Sequence, residues 1–346
     1  MSDFDSKTYE EYLIYIHGIS PEYNKCHREA YDYLHQGISG CISQEVGEWH
    51  NAKRCDVEWG WDYECEGKEA KGHRLLAEAQ EKLAARLFPK IEEAKDFSIN
   101  PARLIIRGVR ELMLKGFSDM FYYVCEDGQN SVRLEVLSKI LEAKDIQTCL
   151  VEEQPFSITL LGHSAGSVIA FDLLLYLFGK EEDDESHKKT NFINFKAPSV
   201  ESVLNRLDMS HENLLKLENN MGKFWTMAQH EKIRIRRLVT FGSPISQLVF
   251  RSDKFLEIFA NDGGLNASEL GLDRNPEIFG TPLEGPRWIN LWDKDDFIAW
   301  PVKPLVREQD ANLVADIYTN VSCSILKAHN RYWNSHIVHG KIAEHW

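Results

Sequence analysis

The sequence lacks an excess of positive charge: 40 Lys and Arg against 54 Asp and Glu give 40 − 54 = −14. An acidic chain gains nothing from a phosphate backbone, so nucleic acid is not an expected partner. The densest basic group, Arg234, Arg236 and Arg237, is too small to reverse that. Ordered cysteine spacing is missing too. The seven Cys (26, 41, 55, 65, 125, 149 and 323) form no CxxC pair and no zinc-type pattern. Such a scatter predicts free thiols in a reducing compartment, hence a cytoplasmic chain with no metal site. The opening MSDFDSKTYEEYLIYIHG has no basic region followed by a long apolar stretch, so no secretory leader is expected. One segment, Ile158 to Phe178, has the length of a membrane span. It contains His163, Ser164, Asp172 and two glycines, and reads instead as a buried strand running into a buried helix. There is no internal repeat.

What is present describes a folded chain: 43% hydrophobic, 27% charged, with nine Trp available for a large core or an apolar pocket. Short apolar runs alternate with longer helical patterns. Strands are expected at Tyr12 to Ile16, Asp56 to Trp59, Met120 to Val124, Phe156 to Leu161, Ile235 to Phe241 and Trp288 to Trp292. Helices are expected at about Asn24 to His35, Lys68 to Ala94, Ser131 to Ala143 and Ala165 to Phe178. This alternation predicts an α/β fold, a mostly parallel sheet with helices on both faces. Residues 179–234 break the rhythm. They open with the acidic run Glu181 to Glu185 and continue into an amphipathic stretch holding Leu214, Leu217, Met221 and Phe224. That stretch reads either as a helix packed on the core or as a cap lining an acyl pocket. It lacks the Lys/Arg-rich polar side of interfacial helices, so contact with a membrane surface has no support from the sequence.

The chemistry concentrates at Leu160-Leu-Gly162-His163-Ser164-Ala165-Gly166, where G-x-S-x-G sits between an apolar strand and an apolar helix. A serine on so tight a strand-to-helix turn lifts its Oγ above the sheet. The residues two before and two after it crowd each other, which calls for Gly162 and Gly166. The Ala165 amide opens the helix and is placed to donate to an oxyanion. Upstream, Ile14-Tyr-Ile-His17-Gly18-Ile19 ends a strand in a His-Gly step, where the Ile19 amide is the candidate second donor. Downstream, Asp293, Asp295 and Asp296 load the end of a strand with carboxylates, and His329 precedes Tyr332 and Trp333. His336 and His339 compete for the role of base, and could also be read as a metal pair. With no third ligand evident, a helical surface pair is the better reading.

IYIHG, LLGHSAG, LVTFGSPI (Leu238 to Ile245), NLWDKDDFIAWP (Asn290 to Pro301) and AHNRYW (Ala328 to Trp333) together resemble the serine lipase and esterase branch of the α/β-hydrolase superfamily. The resemblance runs over almost the whole chain, with 179–234 unmatched. It implies one α/β-hydrolase domain over 1–346, with 179–234 as a cap or lid. Because the His-Gly strand starts near residue 12, the two strands that usually precede it are expected to be absent, leaving a minimal sheet. The resemblance also implies Ser164 as nucleophile, His329 as general base and Asp296 as its orienting acid, since the DxIAxP pattern falls on Asp296. The expected activity is hydrolysis of a small-molecule or lipid ester through an acyl-enzyme, without a cofactor. Acyl transfer and thioester hydrolysis use the same triad, and a non-catalytic member of the fold is the alternative from another class.

Overall fold

A computed structural model describes residues 9–18, 27–43, 47–59, 82–83, 85–86, 122–179, 193, 200–201, 204–205, 209–248, 253–280, 282–322 and 325–346. Its described strands are β1 (Glu10–Ile16), β2 (Lys53–Val57), β3 (Phe156–His163), β4 (Ile233–Phe241), β5 (Trp288–Trp292) and β6 (Val314–Tyr318). All pair in parallel, in the order β2-β1-β3-β4-β5-β6. The helices used below are α1 (Arg28–Cys41), α2 (Gly47–His50), α3 (Glu126–Glu142), α4 (Lys144–Glu152), α5 (Ala165–Phe178) and α6 (His211–Gln229). They continue with α7 (Ile245–Leu248), α8 (Asp253–Asn261), α9 (Ile325–Arg331) and α10 (His336–Glu344).

Strands covered on both faces need mainly apolar side chains, and Tyr12 to Ile16 of β1 and most of β3 supply them. On β1, Tyr12, Ile14 and Ile16 enter a core shared with α3, α4, α5 and α6. Leu13 and Tyr15 enter the opposite layer with Tyr31 and Leu34 of α1 and Val338 and Ile342 of α10. This alternation, combined with parallel pairing, directs the C-terminal ends of β1, β3, β4 and β5 to one edge of the sheet. The buried carboxylate of Asp172 on α5 ties the helical layer together, accepting from Arg133 Nη2 at 2.6 Å and from Tyr123 Oη at 2.7 Å.

The basic trio lies inside. Arg234, Arg236 and Arg237 are all buried on β4. Between the pairs Ile158↔Ile235 and Thr159↔Arg237 the register slips, so Arg236 is an extra residue on β4. A bulge of this kind disrupts the ladder locally. Arg287, just ahead of β5, donates to the carbonyls of Ile235 and Arg236 beside it. The Arg234 guanidinium lies over the rings of Tyr9 and Phe279, 4.7 and 4.6 Å from their centroids, and the two rings themselves meet edge to face.

Several sequence expectations change. Tyr122 to Val124 is helical rather than extended. The apolar run is too short to distinguish the two states, and the Tyr123 hydroxyl is engaged with Asp172. β2 begins three residues before the expected strand, because it alternates charged and apolar side chains instead of running apolar. The helix expected over 68–94 lies outside the described residues, apart from the helical residues 82, 83, 85 and 86. Within 179–234, α6 is capped by Ser210, whose Oγ accepts from the Asn213 amide at 3.2 Å. Leu214, Leu217, Met221 and Phe224 of α6 all face the core. The apolar face read as a possible acyl lid is therefore occupied by packing, and most of 179–208 lies outside the described residues. Among the described residues, no helix is long and apolar enough to cross a membrane.

Candidate active site

All eight residues of β3 are buried, and α5 begins only one residue after the strand ends. That single residue, Ser164, makes the whole turn with φ 51° and ψ −124°. Such a backbone costs a non-glycine residue about 1–3 kcal/mol and persists only when its surroundings hold it. Here they do. The Ser164 amide donates to the Phe241 carbonyl at 3.1 Å, and the Ser164 carbonyl accepts from the Ser167 amide at 3.0 Å. Ser167 Oγ also donates to the Ser164 carbonyl and lies 2.7 Å from Ser243 Oγ. Residues on α5 and beyond β4 thus fix the turn.

The glycines around the serine answer to close backbone approach. A Cβ on Gly162 would stand 2.6 Å from Ser167 Cα and 2.9 Å from the Gly166 carbonyl. One on Gly166 would stand 2.1 Å from the Ile16 carbonyl. One on Gly18 would stand 2.4 Å from Ser164 Cβ and 3.1 Å from its Oγ. The His-Gly step therefore ends directly against the serine. Ala165, the first residue of α5, has an amide without an intrahelical acceptor. Ile19 lies outside the described residues.

His17 is packed between two rings, His27 at 3.6 Å and Trp59 at 5.3 Å, both nearly parallel to it. Its Nε2 accepts from the Trp59 amide at 3.1 Å, leaving Nδ1–H for the Gly18 carbonyl. Trp59 Nε1 in turn donates to the His17 carbonyl at 2.9 Å. Burial pulls the His17 imidazole down to about 4, so it is neutral near pH 7.

On the other side, His329 Nδ1 meets Asp296 Oδ2 at 2.9 Å, with both residues buried. Asp296 Oδ1 accepts from the Ile298 amide at 3.1 Å. Burial raises the Asp296 carboxyl, but the His329 charge and these hydrogen bonds outweigh it and hold the group below the usual range. The His329 ring lies beside the serine turn. A Cβ on Gly242, the residue after Phe241, would stand 3.2 Å from both its Cε1 and its Nδ1. His163 Nε2 donates to the His329 carbonyl at 2.8 Å, and burial brings the His163 imidazole down to about 3. The phenol of buried Tyr332 is raised by burial and by the charges of Asp296 and Asp293.

The other aspartates and histidines lie in different surroundings. Asp293 accepts from the Val321 amide at 2.6 Å and the Asp295 amide at 2.9 Å, which fixes the loop. Asp295 is only partly buried, and His336 is exposed. His339 is buried instead of forming a surface pair, with Nε2 on the Trp333 carbonyl at 2.8 Å and its ring against Gly37. Helical spacing placed the two histidines near each other, but the core side of α10 claims one of them. Among the described residues, no three His, Cys, Asp or Glu side chains gather as a metal site. Ser167, Gly242 and Ser243 carry part of the turn. The sequence offered a signal only for the last two, which fall inside the TFGSP segment. No family model matches the chain, and no curated protein matches it.

Proposed function

We propose that this chain is a serine hydrolase of carboxylic esters built on an α/β-hydrolase fold. The observation that carries the reading is the buried Asp296–His329 pair set beside a serine at φ 51° between strand and helix. The order β2-β1-β3-β4-β5-β6 supports it as well, with the serine after β3, the acid after β5 and the histidine beyond β6. Ser164 Oγ attacks the ester carbonyl carbon while His329 Nε2 takes its proton. The resulting oxyanion is met by the Ala165 amide and, in this proposal, by the Ile19 amide. His329 then returns the proton to the departing alkoxide, which leaves as the alcohol and gives an acyl-Ser164. Water, deprotonated by the same imidazole, releases the acid. Asp296 holds the imidazole with Nδ1 protonated, so that Nε2 is the basic nitrogen.

A fluorophosphonate probe tests this directly. It labels the wild-type protein and not Ser164→Ala, and only the wild type turns over p-nitrophenyl esters. Equal labelling of the two, or none of the wild type, refutes the reading. Transfer of the acyl group to an alcohol in preference to water would make the chain an acyltransferase using the same three residues.

A further inference from the structure

We infer that Asn290 and Asp316 are positioning residues for the acid of the site, acting through the loop that carries Asp296. The inference rests on the reading of Asp296 and His329 given above. Thr240, Asn290 and Asp316 stand side by side on β4, β5 and β6, in the registers Thr240↔Asn290 and Asn290↔Asp316. Thr240 and Asn290 are fully buried. A polar row that runs from two buried positions out to the edge strand is expensive unless every buried group in it is satisfied.

This row is satisfied, and its hydrogen bonds lead to one place. Trp288 Nε1 donates to Thr240 Oγ1 at 3.0 Å, and Thr240 Oγ1 donates to Asn290 Oδ1 at 2.8 Å. That fixes the amide orientation and sends both Nδ2 protons outward. One goes to Asp316 Oδ1 at 2.7 Å, the other to the Trp300 carbonyl at 3.0 Å. Asp316 then accepts from the Val302 amide on Oδ1 at 2.9 Å and from the Lys303 amide on Oδ2 at 2.8 Å. The row therefore grips residues 300, 302 and 303, the far anchor of the loop that leaves β5 at Trp292 and carries Asp296.

The near anchor is Asp293, through its bonds to the amides of residues 295 and 321. Between the two anchors the loop closes on itself, with the Ala299 amide on the Asp296 carbonyl at 3.1 Å. The Trp300 amide reaches the Ser243 carbonyl at 3.2 Å, which links the same anchor to the segment behind Ser164. Release of the Trp300 carbonyl and the 302 and 303 amides loosens one end of the loop whose middle must hold Asp296 Oδ2 on His329 Nδ1, leaving that end on the Trp300 amide–Ser243 bond and the Ser246 hydroxyl at the Pro301 carbonyl. A pure core role for Asn290 predicts lost stability alone. The hydrogen-bond path adds a displaced carboxylate.

The test uses the full-length chain and three variants. Asn290→Asp removes both donors and sets a second carboxylate against Asp316. Asp316→Asn keeps the size but withdraws an acceptor from the loop amides. The double variant N290D/D316N restores the cross-strand bond with donor and acceptor exchanged, yet leaves the Trp300 carbonyl without its donor and the Val302 amide without its acceptor, since that amide shares Asp316 Oδ1 with Asn290. Stability of the double variant is expected to recover toward wild type. Its kcat stays down by about 100-fold at nearly unchanged KM, the scale of an ångström-sized misplacement near a reacting group. A readout independent of turnover is the low-field proton resonance of His329 Nδ1–H, which marks its bond to Asp296. It is expected to move upfield or broaden in all three variants.

If the double variant regains wild-type kcat together with its stability, or if the resonance is unmoved in all variants, the positioning role is wrong and the row is structural. An inactive wild type that fails to label overturns the reading of the site and the positioning role with it. A labelled, active wild type whose variants lose only stability overturns the positioning role alone.

Discussion

His163, the residue before the serine, donates its Nε2–H to the main-chain carbonyl of His329 across 2.8 Å. The serine turn and the histidine loop are thereby joined by one hydrogen bond between residues 166 positions apart. His163 is too depressed to act as a base, so its contribution is geometric. His163→Phe fills the space and loses the donor, and kcat is expected to fall about 100-fold. His163→Gln keeps an N–H donor of similar reach and is expected to stay within about tenfold of wild type. Steady-state ester hydrolysis by the two variants checks this, and equal losses in both would contradict it.

The aspartates of the acid loop separate cleanly. Asp296→Asn preserves shape but turns an amide toward His329 Nδ1, which favours the wrong tautomer and lowers kcat by about 10⁴. Asp293→Asn instead weakens acceptance of the 295 and 321 amides, and is expected to cost about 1–3 kcal/mol in urea unfolding with a smaller loss of kcat. A larger catalytic loss from Asp293→Asn than from Asp296→Asn would exchange their roles.

Glycines predict opposite signs of stability change. Gly166→Ala drives a methyl to 2.1 Å from the Ile16 carbonyl and is expected to destabilise by about 1–3 kcal/mol or more. Gly222→Ala, within α6 and with nothing near its would-be Cβ, is expected to stabilise by about 0.4–1 kcal/mol. Urea midpoints of the two variants provide the comparison.

Acid sensitivity follows from buried imidazoles. His17 and His163 titrate at about 4 and about 3 in the folded state against an ordinary 6.5, and His27 is also pushed down, burial being the main cause in each. Their neutral forms contribute stability that is present above pH 6.5 and lost as pH falls through the folded values. Glu11 opposes this: burial raises it from 4.5 to about 7, so its contribution is present below 4.5 and lost as pH rises toward 7. Between pH 4.5 and 6.5 the histidines outnumber it, so stability is expected to rise with pH. His163→Gln should reduce that slope by about one proton, measured by urea titrations across the window.

Legibility of the sequence followed the strength of local patterning. The limits of α5 and β5 coincide with those read from the sequence, since both are apolar segments with clear stops. β6 was not read at all. Val314–Tyr318 is an edge strand of mixed polarity, defined by the pairing Trp288↔Val314 and not by its own pattern. Ser164, Asp296 and His329 each sit in a distinctive local string. Asn290 and Asp316 do not, because a polar residue inside a strand carries no sign of its neighbours until the register is known.

Every strand pairing in this sheet is parallel, so none can be made by a simple hairpin, and Glu10 must find Phe156 before β1 is in place. The strained turn at Ser164 is braced by segments at residues 18, 241 and 329, which lie far apart along the chain. Loop-closure entropy makes such non-local assembly slow. Helices can form early in a refolding chain, but the serine acquires its conformation only when the last brace arrives. Activity should therefore lag behind the recovery of helical signal, and no internal fragment of the chain should carry a formed site.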